Sequence, residues 1–163
     1  MSLAIIPGSF DPMTLGHLDI VRYASTHYDE VVVAVMINPE KHYLFDTKTR
    51  VEIARLTVAE YPNVRVIEDS GMLIDLFDRL QADAVCKGWR NDTDYEYEMR
   101  MATWNKEHNP RFHTELIRSS GEYEALSSTD VRTKLNVGEE IAGLVHPCAI
   151  PLILKRYRKE QTT

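Results

Sequence analysis

The chain has 163 residues, 44% of them hydrophobic and 27% charged, with a formal net charge of −6. That length fits a single domain over residues 1–163 with a sizeable core, and the acidic balance speaks against a nucleic-acid surface, which would show clustered basic residues. No apolar run nears the roughly 20 residues of a membrane helix and the amino end lacks a signal-peptide pattern, so a cytoplasmic protein without nucleic-acid or membrane partners is expected.

Ala4 to Ile6 is a short apolar run closed by Pro7 and Gly8, which reads as a buried strand. Leu18, Ile20, Val21 and Ala24 then share one face of a helix opening near Leu15. Glu30 to Ile37 is a second strand. Thr47 to Glu60 is a helix, capped by Asp46 or Thr47 and carrying Val51, Ile53, Ala54, Leu56 and Val58. Asn63 to Ile67 is a third strand, and Met72 to Leu80 a short helix with Leu73, Leu76, Phe77 and Leu80 at helical spacing. Ala84 to Lys87 is a fourth strand, Thr93 to Lys106 a helix, and Phe112 to Ile117 a fifth strand. The last 40 or so residues read mainly as helix, starting at Ser127 and again after Pro147.

Strand alternating with helix predicts an α/β fold, a doubly wound parallel five-stranded sheet of Rossmann-like form with a helical C-terminal part. Ligands of such sheets bind outside the carboxyl ends of the strands, near the topological switch point. The loops after strands one, two and four should therefore hold the unusual polar residues.

After strand one, Gly8-Ser9-Phe10-Asp11-Pro12 leads into Thr14-Leu15-Gly16-His17. The two glycines permit close backbone approach, Ser9 offers a hydroxyl, and His17 falls in the first helical turn, where unpaired N–H groups and the helix dipole suit an anion. The bland alternative is a tight turn with Asp11 as a cap and His17 on the surface. After strand two, Lys41 either reaches a phosphate or is one more solvated lysine. After strand four, Lys87-Gly88-Trp89-Arg90 sets two cations around a glycine, a phosphate clamp or a basic turn. In the following helix Tyr95, Met99 and Ala102 share a face that core packing explains, whereas Glu98 could accept a hydrogen bond from a base or pair with Arg90. Ser127, Ser128 and Thr129 put three hydroxyls at one helix start, where a plain cap needs one, which suggests a second anion site. Cys86 and Cys148 have no metal-ligand spacing and read as buried or incidental thiols.

In this order, "PGSFDPMTLGHLDIV", "KGWRNDTDYEYEM" and "LSSTDVR" resemble the three signature blocks of the bacterial phosphopantetheine adenylyltransferases, in the nucleotidyltransferase superfamily marked by T-x-G-H and S-S-T-x-x-R elements. The resemblance runs from about residue 4 to about residue 155. Leu126 stands where Ile is usual, Ser9 where Thr is common, and Lys-Gly-Trp-Arg where Arg-Gly-Leu-Arg is usual; Lys87 keeps the charge without the planar fork.

The resemblance implies transfer of the adenylyl group of ATP to 4'-phosphopantetheine, giving dephospho-coenzyme A and pyrophosphate, by in-line attack without a covalent intermediate. It implies that Ser9 orients the acceptor phosphate, that Lys41 bridges it to the transition-state oxygens, that His17 donates to the α-phosphate, and that Lys87 and Leu73 hold the acceptor. ATP would be bound by Ser9, Phe10, His17, Gly88, Trp89, Arg90, Glu98 and the run Tyr123, Glu124, Ala125, Leu126, Ser127, Ser128 and Thr129. Mg²⁺ would ride mainly on the ATP phosphates, with no protein metal cage. A homohexamer and coenzyme A as feedback ligand complete what the family suggests. Two alternatives stand beside it: a sibling enzyme transferring CMP or AMP to glycerol phosphate, nicotinamide mononucleotide or another acceptor, and a non-catalytic nucleotide sensor. Loss of His17 or Lys41 would favour the sensor, and both are present.

Overall fold

The computed structural model describes the backbone of residues 1–162 and side chains through residue 159. Its elements are β1 (Leu3–Gly8), α1 (Leu15–His27), β2 (Glu30–Met36), α2 (Thr47–Thr57), β3 (Val64–Asp69), α3 (Leu73–Arg79), β4 (Ala84–Trp89), α4 (Asp92–His108), β5 (Thr114–Arg118), α5 (Ser128–Asn136) and α6 (Ile150–Thr162). The strands pair all-parallel in the order β3-β2-β1-β4-β5. The chain winds outward from β1 to β3, then returns to the other side of β1 for β4 and β5. The switch point therefore lies between β1 and β4.

Parallel strands buried on both faces read as continuous apolar runs, and side chains along each strand alternate between two packing clusters. Ala4, Ile6, Val31 and Val33 meet Leu18, Val21 and Ala24 of α1 and Val51 and Ala54 of α2. Ile5, Ala34 and Val85 face the other way, toward Leu76 and Phe77 of α3 and toward Phe112. A third cluster joins Phe45 and Ile53 to Val131, Leu135, Val145 and Ile153, which fastens the helical C-terminal part to the outer side of α2.

Caps fix the element starts. The Asp46 carboxylate accepts from Thr49 N–H at 2.8 Å, and Asn91 Oδ1 accepts from Asp94 N–H at 2.9 Å. Helix α2 ends at Thr57, short of the expected Glu60, in a turn closed by Tyr61 N–H to Val58 carbonyl at 2.9 Å; Pro62 follows, and the residue before a proline avoids helix. Strand β4 extends past Lys87 to Trp89, and β1 past Ile6 to Gly8. One expectation is corrected. The α4 face of Tyr95, Met99 and Ala102 is not core: Tyr95 and Met99 are 40% and 43% exposed and Ala102 is half-buried. Helix α4 lies over β4 and the edge strand β5, and Asn105 is its one buried residue.

Candidate active site

Strand β1 delivers the chain to its carboxyl end at Gly8, and the next residues diverge. Phe10 adopts a left-handed backbone conformation, φ 47°, which costs a side-chain-bearing residue steric strain. Two cavities open on either side of this point. One, of about 520 Å³, is lined by Phe10, Gly16, His17, Lys87, Gly88, Arg90, Asp94, Glu98, Leu126, Ser127 and Ser128 among others. The other, of about 420 Å³, is lined by Ser9, Asn38, Lys41, Tyr43, Gly71 and Met72 among others. Ser9 and Phe10, consecutive in sequence, belong to different cavities.

His17 is held in one protonation and tautomeric state. Thr14 caps α1, its hydroxyl accepting from His17 N–H at 3.3 Å, and Thr14 N–H donates to His17 Nδ1 at 3.0 Å. With Nδ1 accepting, the neutral ring carries its proton on Nε2. Phe10 meets the ring edge-on, centroids 4.9 Å apart. Desolvation, reinforced by the nearby Arg90 charge, lowers the His17 pKa to about 4. The side chain is thus a neutral N–H donor at the start of a helix. Of the helix's first amides, Leu15 N–H is already bound by Leu144 carbonyl at 2.9 Å. Gly16 N–H is left for an anion.

The cations of the β4–α4 turn are each clasped by a carboxylate of α4. Lys87 Nζ lies 2.9 Å from Glu98 and Arg90 Nε 3.2 Å from Asp94. Glu98 therefore pairs with Lys87 rather than with Arg90. Arg90 also donates to Leu126 carbonyl at 3.3 Å, tying this turn to the start of α5. There Ser127 is the cap, in reciprocal bonds with Asp130. Ser128 donates to Pro12 carbonyl at 2.8 Å, and Thr129 Oγ1 accepts from Arg132 at 2.9 Å. All three hydroxyls are engaged within the protein, so what this helix start offers an anion is its first-turn amides.

In the wall of the smaller cavity Lys41 Nζ donates to Ser9 Oγ at 3.2 Å. Leu73 sits just beyond the cavity wall, following Met72, and packs into the α3 cluster. Trp89, Tyr123, Glu124, Ala125 and Thr129 do not line the larger cavity. Trp89 meets Tyr95 edge-on at 5.0 Å and carries Arg118 over its ring, Glu124 pairs with Arg118, and Tyr123 packs beside Gly16. Cys86 is buried, its thiol pKa pushed up to about 12 chiefly by desolvation, whereas Cys148 is exposed.

Three residues hold these loops through contacts the sequence does not show: Arg50 is not singled out there, Asp11 is expected only as a turn cap, and Arg132 only as the arginine of S-S-T-x-x-R. Asp11, 4% exposed, accepts Leu44 N–H at 2.7 Å and Phe45 N–H at 3.0 Å, so it braces the β2–α2 loop instead of capping a turn. Arg132 donates to Asp11 carbonyl at 2.8 Å. Arg50 is 1% exposed. The signal for Arg50 was its place one turn before Ile53 and Ala54 on the buried stripe of α2; the main-chain partners of Asp11 and Arg132 leave no spacing to read.

A family model described as cytidylyltransferase-like matches residues 5–134. The chain is 42% identical over 159 residues to the phosphopantetheine adenylyltransferase of Clostridium kluyveri, covering 98% of this chain and 97% of that one. It is 41% identical over 158 residues to the enzyme of that name in Streptomyces coelicolor, covering 97% and 99%. A crystal structure of a protein provisionally named nicotinate-nucleotide adenylyltransferase, from Vibrio parahaemolyticus, superposes with a TM-score of 0.76 at 21% identity, covering 98% of this chain and 97% of the other. That likeness concerns the fold.

Proposed function

The chain belongs to the phosphopantetheine adenylyltransferases of the cytidylyltransferase-like family; it is a nucleotidyltransferase that makes dephospho-coenzyme A, and we propose that it does so by direct transfer of the adenylyl group of ATP to 4'-phosphopantetheine. The observation that supports direct transfer is the single loop serving both cavities, with Ser9 in one wall and Phe10 and His17 in the other. Two substrates seated there meet across it, so no covalent carrier is needed.

A phosphate monoester, with a second pKa of about 6, is largely dianionic at neutral pH, so its oxygen attacks the α-phosphorus without a general base. The new P–O bond forms as the bond to the β-phosphate oxygen breaks, and pyrophosphate leaves with that electron pair. His17 Nε2–H and Gly16 N–H stabilise charge on the α-phosphate. Lys41 and Ser9 orient the acceptor phosphate and Leu73 lies behind the pantetheine arm; Lys87, which lines the larger cavity beside Glu98, is the second cation and reaches the same phosphate from the nucleotide side. Arg90 and the first-turn amides of α5 hold the β- and γ-phosphates. Phe10, Gly88, Trp89, Glu98 and the segment from Tyr123 to Thr129 frame the nucleotide, Trp89 and Tyr123 to Ala125 from outside the cavity wall.

Mg²⁺ belongs to this chemistry as a charge carried on the triphosphate. Asp94 and Glu98, the carboxylates of the cavity wall, are already bound by Arg90 and Lys87. Among the described residues no group of three His, Cys, Asp or Glu side chains is placed to hold a metal, so no step is assigned to a protein-bound ion. The reading includes a cytoplasmic single-domain protein, coenzyme A as feedback ligand, and a homohexamer. The exposed Tyr97, Met101 and Trp104, at i, i+4 and i+7 along one face of α4, support an assembly, since a monomer rarely leaves such residues together.

Pyrophosphate release from ATP, measured with phosphopantetheine, glycerol phosphate and nicotinamide mononucleotide, tests the assignment. Phosphopantetheine should be the strongly preferred acceptor, and preference for another would reassign the enzyme to a sibling reaction. Lys87→Ala should raise the KM for phosphopantetheine by an order of magnitude or more while that for ATP moves little, and Lys87→Arg should be tolerated. Equal losses for both substrates would remove Lys87 from the acceptor.

A further inference from the structure

Arg50 carries a charge the mechanism above does not use. Its guanidinium is among the largest fully buried side chains of the protein, and no carboxylate pairs with it among the described residues. Nη1 donates to Ser9 carbonyl at 2.8 Å and to Met36 carbonyl at 3.4 Å, Nε to Phe45 carbonyl at 3.2 Å, and Nη2 to Thr47 Oγ1 at 3.2 Å. The plane stacks on the Tyr43 ring at 3.8 Å. Removing a cation from water without a counter-ion is costly, and neutral oxygens offset only part of that cost. A protein that needed only a strut here could use an uncharged residue.

The contacts converge on one place. Ser9, Met36 and Tyr43 all line the smaller cavity, whereas Arg50 lies behind its wall. The planar fork reaches the end of β1, the end of β2 and the start of α2 at once, which a lysine ammonium cannot do in one geometry.

We propose that Arg50 is a positioning residue for the acceptor phosphate: it locks Ser9 and Tyr43 into the wall of the smaller cavity and supplies the buried positive charge that a dianionic phosphate monoester there completes. This rests on the adenylyl-acceptor reading of that cavity. Low dielectric between the charge and the cavity strengthens the coupling, and Arg50 itself touches neither substrate.

The test compares the wild type with Arg50→Lys and Thr47→Val. Thr47→Val removes one outer contact of the fork and leaves the core filled, so it decides the matter even if Arg50→Lys does not fold. Calorimetric titration with phosphopantetheine and with pantetheine, which lacks the phosphate, is paired with steady-state KM values for both substrates. Arg50→Lys should weaken phosphopantetheine binding and raise its KM tenfold or more, leave the KM for ATP within twofold, and leave pantetheine binding nearly unchanged. Thr47→Val should show the same pattern at two- to threefold. If wild type binds both ligands equally, the reading of the cavity fails. If wild type prefers the phosphorylated ligand and the variants keep that preference, or lose ATP and acceptor together, the role given to Arg50 is overturned.

Discussion

Replacing His17 with alanine is expected to lower kcat by roughly a hundred- to a thousandfold, the usual effect of removing one donor aimed at developing charge, while ATP affinity changes only slightly. The grounds are the tautomer and the setting. Thr14 N–H occupies Nδ1, so the ring presents Nε2–H, and with its pKa lowered to about 4 by desolvation and by Arg90 it stays neutral through the working pH range. A donor that never titrates there contributes hydrogen bonding and not proton transfer. The rate should show no limb at the ordinary imidazole pKa of about 6.5; acceptor dependence should instead fall as the phosphate protonates near its own pKa of about 6. Linkage has a definite direction. Because the folded pKa lies below the unfolded one, the unfolded chain binds the extra proton between pH 6.5 and about 4. The stability tied to neutral His17 is complete above pH 6.5 and is lost as the pH drops toward 4. Steady-state rates and an ATP titration on His17→Ala check the first point, and an unchanged kcat would falsify the role given to this residue.

Asp11→Ala should be among the most destabilising single changes. It strips two amides, Leu44 N–H and the buried Phe45 N–H, of one shared carboxylate. A buried donor left without a partner costs about 1–3 kcal/mol, so about 3 kcal/mol in total is expected. For a chain of this size each kcal/mol shifts the melting temperature by about 2–4 °C, which predicts a fall of roughly 6–12 °C. Asp11→Asn keeps one accepting oxygen and should lose about half as much. The freed loop carries Lys41 and Tyr43, so the acceptor KM should rise as well. Thermal unfolding of both variants measures this, and a shift under 2 °C for Asp11→Ala contradicts the brace.

The sheet was legible because strands buried on both faces are unbroken apolar runs, as in Val31 to Val35, and the helices because Asp46 and Ser127 announce their starts. Strand ends were less so. Pro7, Gly8 and Gly88 look like loop residues, yet they pair in the ladder, since the carboxyl edge of a sheet is where strands open toward a ligand. Helix α4 was misread because helical spacing shows that a face is apolar and not what covers it. In the site, His17, Lys41 and Arg90 announce themselves by type and position. Asp11 and Arg132 could be named from the sequence, but not their partners: like Arg50 they bind carbonyls or amides of distant segments, and a main-chain partner has no signature in the residue letters.

The left-handed turn at Phe10 has a bearing on how such an enzyme changes over generations. It splits the cavity walls into two territories, with residues of 36–43 and 70–72 on one side and those of β4, α4 and the start of α5 on the other. A lineage can rewrite one territory while inheriting the other intact. On the proposed reading a change in the two short segments alters the acceptor's surroundings and leaves the nucleotide's walls in place, with Lys87 the acceptor residue that stands in those walls. The junction itself, Ser9 with Phe10, borders both cavities, so a change there is felt in each.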